Sequence, residues 1–134
     1  MVLSANSAAV TGLSWVLSKR AVLMSMAGTV TASADTADFL IPVPFNMTAT
    51  LLKVTYKTNP TTDATIQLRT STDETMWSDL GAGTSGVFAT AGNRTQEFNI
   101  TDTEMTEGHT LNFSVTGGAD GVNIVVMVVG FQTA

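Results

Sequence analysis

The residue types that could do chemistry are scarce in this chain of 134 residues, which contains no cysteine and a single histidine. Without a thiol, a nucleophile with its base and orienting group would have to be built around His109. This histidine follows Glu107 and Gly108 where a turn leads into a strand pattern, a position typical of a solvated polar residue. We therefore expect no enzymatic activity, no catalytic residue and no cofactor.

Carboxylates gather in two predicted connections, where oxygen ligands could in principle hold calcium. They are Asp73, Glu74 and Asp79 in the first connection and Asp102, Glu104 and Glu107 in the second. Neither group has the alternating aspartates and the glycine of a calcium loop, and a single histidine cannot form a two-histidine metal motif. We expect solvated acidic edges and no metal site.

Trp77 lies in a connection with acidic residues on either side of it. A large aromatic side chain in such a place either plugs one end of a sandwich or presents its ring to a ligand, such as a sugar. Trp77 is therefore the candidate ligand-contact residue if the protein is a binding module.

Composition excludes two classes of partner. Charged residues make up 13% of the chain, below the roughly 25% of average soluble domains. The six basic residues are scattered and outnumbered by eleven acidic ones, so we expect no binding to nucleic acid. The longest apolar run, Val122 to Phe131, is about half of the roughly 20 residues that a membrane helix needs, so we expect no membrane partner.

The stretch KRAVLMSMAGTVTASAD, residues 19–35, has features of both a secretory signal and a β-strand. Polar residues and a glycine interrupt the apolar run, whereas a signal core needs roughly 7 to 15 apolar residues in a row. Val22, Met24 and Met26 alternate with smaller residues, which is the period of a strand with one apolar side. We expect a strand that is retained in the protein, preceded by an extended N-terminal arm over residues 1–20.

The rest of the chain, residues 21–134, predicts one β-domain. Short stretches with period two are separated by turn residues, and no stretch has the period of an amphipathic helix. Asp38 to Phe45 contains Pro42 and Pro44, which predicts a strand that is at an edge or partly unpaired, because proline cannot donate to a neighbouring strand. Eight or nine such strands favour an all-β fold, an antiparallel two-sheet sandwich of the jelly-roll type.

The last predicted strand is apolar on both sides and therefore needs cover on both. A neighbouring subunit, the N-terminal region of the same chain, or a central position in the sheet could each supply that cover. We expect two groups of contact residues, and the pattern leaves open whether the apolar sides of the first and last strands pack within the subunit or between subunits. The two groups are Trp15, Val16, Leu17, Val22, Met24 and Met26 near the N-terminus, and Val125, Met127, Val129 and Phe131 in the last strand.

Four segments resemble the small β-sandwich proteins of tailed-phage virions, such as capsid decoration (cement) proteins, head fibres and tail-fibre tips. The segments are IPVPFNMTATLLKVTYKT from Ile41, ATIQLRTSTD from Ala64, TEGHTLNFSVTGG from Thr106 and VNIVVMVVG from Val122. The resemblance implies a homotrimer placed over capsomer junctions, in contact with the major capsid protein, with N-terminal segments that reach along the shell.

The function expected from these observations is that of a non-enzymatic virion structural protein. A phage capsid decoration protein on the capsid exterior, made in the host cytoplasm, fits the resemblance best. The alternative is a receptor- or carbohydrate-binding module of a fibre or tail, which would use Trp77.

Overall fold

The computed structural model describes residues 2–5, 13–16, 19–30, 41–118 and 120–133, the first two ranges by their strand pairing only. The strands are β1 (Val2–Ala5), β2 (Leu13–Val16), β3 (Lys19–Thr29), β4 (Ile41–Pro42), β5 (Met47–Thr58), β6 (Ala64–Ser71), β7 (Ser78–Asp79), β8 (Ser85–Phe88), β9 (Thr95–Met105), β10 (Thr110–Thr116) and β11 (Val122–Gln132). The described residues contain no helix that is long and apolar enough to cross a membrane.

Two antiparallel sheets pack against each other. The four-stranded sheet has the order β3-β11-β5-β9, and the second sheet has the order β4-β10-β6, with β7 and β8 both paired to β6. From β3 to β6, and again from β8 to β11, the chain changes sheet at every connection. Apart from the short β7, this arrangement is a jelly roll of eight strands, which confirms the predicted fold class.

The core lies between the sheets and is built by alternation along each strand. Leu52, Val54 and Tyr56 of β5 are fully buried, as the period of the sequence predicts. Earlier in the same strand Met47 and Ala49 are also fully buried, so the inward positions change parity between Ala49 and Leu52. Against β11, Ala49 lies opposite Gly130 and Leu51 opposite Val129, so Thr50 is the extra residue of a β-bulge, which moves the following side chains of β5 to the other side.

The proline-containing strand β4 is an edge strand, as predicted. Among the described strands it pairs with β10 alone, through Ile41 and Pro42. The chain after it stays close to β10, since the amide of Val43 donates to the carbonyl oxygen of His109 at 2.8 Å. Residues 38–40 of the predicted strand lie outside the described residues.

Residues 19–29 of the stretch with two possible interpretations form the strand β3, and residues 31–35 lie outside the described residues. Strand β3 pairs antiparallel with β11 from Lys19 to Thr29, so the prediction of a strand is confirmed. In the N-terminal region, β1 and β2 pair with each other. The predicted boundary between arm and sandwich, at residue 20, falls just inside β3, and the role of the arm stays a prediction.

Candidate interaction surface

The outer face is the side of the four-stranded sheet that points away from the core, and β11 runs through its middle. β11 is central because it pairs with β3 on one side and with β5 on the other. Met127 has Leu23 and Lys53 as its neighbours in the adjacent strands, and Val129 has Ala21 and Leu51. Side chains from three strands therefore form one continuous surface.

The outer face carries apolar side chains along the middle of β11 and at adjacent positions of β3 and β5. Leu23 is 50% exposed and Phe131 is 37% exposed, while Val125, Met127 and Leu51 are half-buried. In an antiparallel sandwich the outward positions are usually polar, because that side of the sheet is solvated. The outer face therefore has the composition of a surface that another surface covers.

An open depression of about 410 Å³ lies on the outer face. Its apolar lining comes from Ala21, Leu51, Met127 and Val129, and its charged lining from Lys19, Arg20, Lys53 and Glu97. The ammonium group of Lys53 lies 3.1 Å from the carboxylate of Glu97, and both side chains are well exposed. Such a pair adds little to stability, so its main effect is to place charge at the edge of an apolar surface.

Arg20 marks the end of the outer face where β3 begins. Its Nε donates to the side-chain oxygen of Gln132 at 3.1 Å, and its guanidinium lies 5.9 Å from the ring centre of Phe45. A cation held over an aromatic ring and bonded to a neighbouring strand is restrained in position. Arg20 also lines the depression, so the point where the predicted arm joins the folded domain lies next to the depression.

Three of the predicted contact residues belong to the core of the subunit. Val22 and Met24 are each 4% exposed, and Met26 packs against the same core. The period-two pattern correctly places them on one side of β3, but that side faces the second sheet of the same chain. Their assignment to a contact between subunits is therefore corrected, because their apolar area is already removed from water within the subunit.

The other predicted contacts divide into two groups. Val125, Met127, Val129 and Phe131 all lie on the outer face, with Val129 the most buried at 8% exposed. Trp15 and Val16 belong to β2, whose side chains are not described, and Leu17 lies outside the described residues. Because the structure contains one chain, the contact of these residues with another subunit stays a prediction.

Trp77 is half-buried in the connection between β6 and β7, beside Met76, which is 76% exposed. The carbonyl oxygen of Trp77 accepts a hydrogen bond from Arg69 Nη2 at 3.2 Å, and Arg69 Nη1 lies 2.5 Å from Asp79 Oδ1. These contacts hold the base of the loop against β6. The loop is far from the outer face in the fold, because β6 belongs to the second sheet.

Among the acidic residues of that loop, Asp73 stabilises the turn through hydrogen bonds. Asp73 Oδ1 accepts hydrogen bonds from the amides of Met76 and Thr75, both at 2.9 Å, and from the hydroxyl of Ser71 at 3.1 Å. The two amides and this hydroxyl stabilise the carboxylate and lower the pKa of Asp73 to about 2. Among the residues that the structure describes, no group of three or more histidine, cysteine or acidic side chains is placed to hold a metal ion.

Leu23 and Leu51 are outer-face residues that the sequence pattern did not single out. Leu23 occupies the otherwise small and polar side of β3, and Leu51 precedes Leu52 within β5. Two adjacent leucines cannot both point inward in a regular strand, so one of them had to be exposed. That signal was present, but the bulge in β5 decided which leucine it was.

No family model, curated protein or solved structure matches this chain. The function proposed for it therefore depends on the physical properties of the outer face and on the resemblance in the four sequence segments.

Proposed function

We propose that this chain is a non-enzymatic structural protein of a tailed-phage virion, and specifically a capsid decoration protein that stabilises the head shell. The observation that carries the proposal is the apolar outer face of the four-stranded sheet. Leu23, Leu51, Val125, Met127 and Phe131 leave apolar area in contact with water in the isolated chain. Burying that area against another protein is favourable by about 25 cal/mol for each Å².

The proposed partners are other copies of the chain and the major capsid protein. A non-catalytic sandwich can strengthen a shell only by joining its parts, so the outer face and the N-terminal arm supply two separate contact regions. The described geometry supports this division, because Lys19 and Arg20, where the arm joins β3, line the depression on the outer face. Trp15, Val16 and Leu17 are the proposed contact residues of the arm.

The proposal is tested by attachment to capsids that lack this protein. Met127→Glu places a carboxylate in the middle of the outer face, and Val87→Glu is its matched control, since Val87 is 54% exposed on β8 of the second sheet. We expect Met127→Glu to lose co-sedimentation with capsids while Val87→Glu binds as the unaltered protein does. Equal binding by both variants would contradict the role of the outer face.

Two further variants test the role of the arm and the alternative function, one each. Deletion of residues 1–18 removes the arm and leaves β3 intact, and we expect it to reduce capsid occupancy without unfolding the sandwich. Trp77→Ala tests the fibre or receptor-binding alternative, for which the exposed Met76 beside Trp77 offers an apolar loop tip. Loss of cell or glycan binding by Trp77→Ala, with capsid attachment intact, would favour that alternative.

A further inference from the structure

The edge of β3 differs from every other described edge of the two sheets. Within the described residues, β3 has a hydrogen-bonded neighbour on one side only, β11. The pairing with β11 is in regular register from Lys19 to Met26. An edge strand of this length exposes a row of unpaired amide and carbonyl groups that can pair with another strand.

The remaining described edges have features that prevent such pairing, namely short strands, proline or like charges. In the second sheet, β4 and β7 have two residues each, β4 contains Pro42, and β8 has four residues. Short strands and prolines leave too few free backbone groups for a stable new pair. These edges are therefore protected.

The opposite edge of the four-stranded sheet, β9, is long but also protected. It carries Glu97, Asp102 and Glu104 and no basic residue. Its register against β5 is interrupted, and the amide of Thr101 at that interruption donates to the carbonyl oxygen of Gly83 at 3.0 Å. Two β9 strands brought together would oppose acidic residues of the same sign, which is destabilising.

Strand β3 has none of these features between Ala21 and Ala27. That stretch contains no charged residue and no proline, and the irregularity at Gly28 comes only at its end. The two basic residues, Lys19 and Arg20, both lie at the start of the strand. Among the residues that the structure describes, no strand is paired to this edge, which has the features of one that can accept an added strand.

We infer that β3 pairs with β3 of a second copy of this chain, antiparallel and about a two-fold axis near Met24. In that arrangement Lys19 and Arg20 of one copy lie opposite the uncharged end of the other copy's strand, so no like charges meet. Residues opposite each other in an antiparallel pair share one side of the sheet. The pairing therefore keeps Val22 and Met24 on the core side of both subunits and joins the two outer faces.

Among the described long edges, the charge distribution makes the edge of β3 the one at which two copies of the chain can meet. The chain carries a net charge of −5, so two copies repel each other except where their meeting surfaces are uncharged or oppositely charged. Between Ala21 and Ala27 the edge is uncharged, and Leu23, 50% exposed, gains cover from the added strand of the other copy. This inference does not rest on capsid attachment, because it concerns only contacts between copies.

The first test is the mass of the particle in solution, measured by light scattering. The expected result is two copies of the 14.0 kDa chain. Ser25→Lys places a cation on the exposed side of β3 near the axis, and we expect it to give single chains. Asn99→Lys, at an exposed position of β9, is the matched control and should leave the mass unchanged.

The second test uses the absence of cysteine from the chain, so that any disulfide formed by a single-cysteine variant joins two copies. Opposite residues of an antiparallel pair have Cα atoms about 4.5 to 5.5 Å apart, close enough for a disulfide. An axis at Leu23 should cross-link Leu23→Cys with itself, an axis at Ser25 should cross-link Ser25→Cys with itself, and an axis at Met24 should cross-link a mixture of the two variants. Asn99→Cys is the control and should show only background cross-linking. The inferred pair differs from the homotrimer that the resemblance implies, so a mass of three chains would support the resemblance and overturn the inference. A mass of one chain, or a dimer without β3 cross-links, would also overturn it.

Discussion

Leu23 and Met24 are adjacent in β3 but lie on opposite sides of the four-stranded sheet, Leu23 with 50% of its surface exposed and Met24 with 4%. The β3–β11 register places Met24 beside Val126 in the core and Leu23 beside Met127 on the outer face. Of these two neighbouring apolar residues, Met24 therefore belongs to the core of the subunit, whereas Leu23 remains in contact with water in the single chain.

Alanine substitutions at these two positions should separate stability from assembly. We expect Met24→Ala to lower the free energy of unfolding by about 2 to 5 kcal/mol, because it removes a buried side chain and leaves a cavity. Leu23→Ala should lower the free energy of unfolding of the single chain by about 1 kcal/mol or less, since half of its area stays in water. Urea denaturation in dilute solution measures both, and equal losses would contradict the assignment of the two sides.

Tyr56 is fully buried at the core side of β5, with its ring 4.8 Å from that of Phe88 in an edge-to-face contact. Its hydroxyl has no hydrogen-bond partner among the described residues. Burial disfavours the charged phenolate and raises the pKa of Tyr56 from 10.0 to about 12. Because Tyr56 is the only tyrosine of the chain, an ultraviolet titration of the native protein reports this pKa alone.

The raised pKa of Tyr56 predicts a loss of stability in alkali. The neutral hydroxyl is favoured in the folded state, so its contribution is fully present below pH 10 and is lost as the pH rises through about 12. Tyr56→Phe should remove this dependence and, at neutral pH, raise the free energy of unfolding by about 1 kcal/mol, the cost of burying an unpaired hydroxyl. A phenolate that titrates near pH 10 before unfolding would contradict the prediction.

Asp73 predicts a pH dependence of the opposite sign. Its pKa is lowered from 3.8 to about 2 by hydrogen bonds from Met76, Thr75 and Ser71, so the ionised carboxylate is favoured in the folded loop. The stabilisation is present above pH 4 and should be lost as the pH falls through about 2. Carboxyl chemical shifts recorded by nuclear magnetic resonance measure the pKa, and Asp73→Ala should abolish the acid-dependent change in the loop amides. An ordinary carboxyl pKa at Asp73 would show that the turn is not formed in solution.

Gly130 predicts a backbone constraint at the end of β11. A Cβ atom at this position would overlap the carbonyl oxygen of Thr48 and lie 2.8 Å from its carbonyl carbon. We expect Gly130→Ala to lower the free energy of unfolding by about 1 to 3 kcal/mol, because the backbone of β5 has to move. The register shift between Val129 and Gly130 places this close approach where β11 passes the bulge of β5.

Gly28→Ala is the control for Gly130→Ala, since a Cβ at Gly28 would meet nothing within 4 Å but would have to adopt a φ of +82°. Its cost is the left-handed backbone alone, about 1 kcal/mol. Thermal unfolding of the two variants compares them, and a smaller loss for Gly130→Ala than for Gly28→Ala would contradict the proposed overlap.

Much of the fold follows from local patterns. Period two predicts the inward side chains of β5, β6 and β10, because successive residues of a strand must point to opposite sides. Pro42 predicts an edge because proline has no amide hydrogen to donate, and β4 is an edge. Because stretches with period two occur along the chain and no stretch has the period of an amphipathic helix, the sequence also predicts the all-β class.

The sequence by itself determined that β3 has one apolar side and that β11 has two. Only the tertiary structure decided that Val22 and Met24 face their own core while Leu23, Leu51 and Met127 remain outside. The physical reason is that alternation specifies sides but does not say which side meets the second sheet. That choice depends on pairings between strands far apart in the chain and on a one-residue bulge in β5, neither of which a local pattern contains.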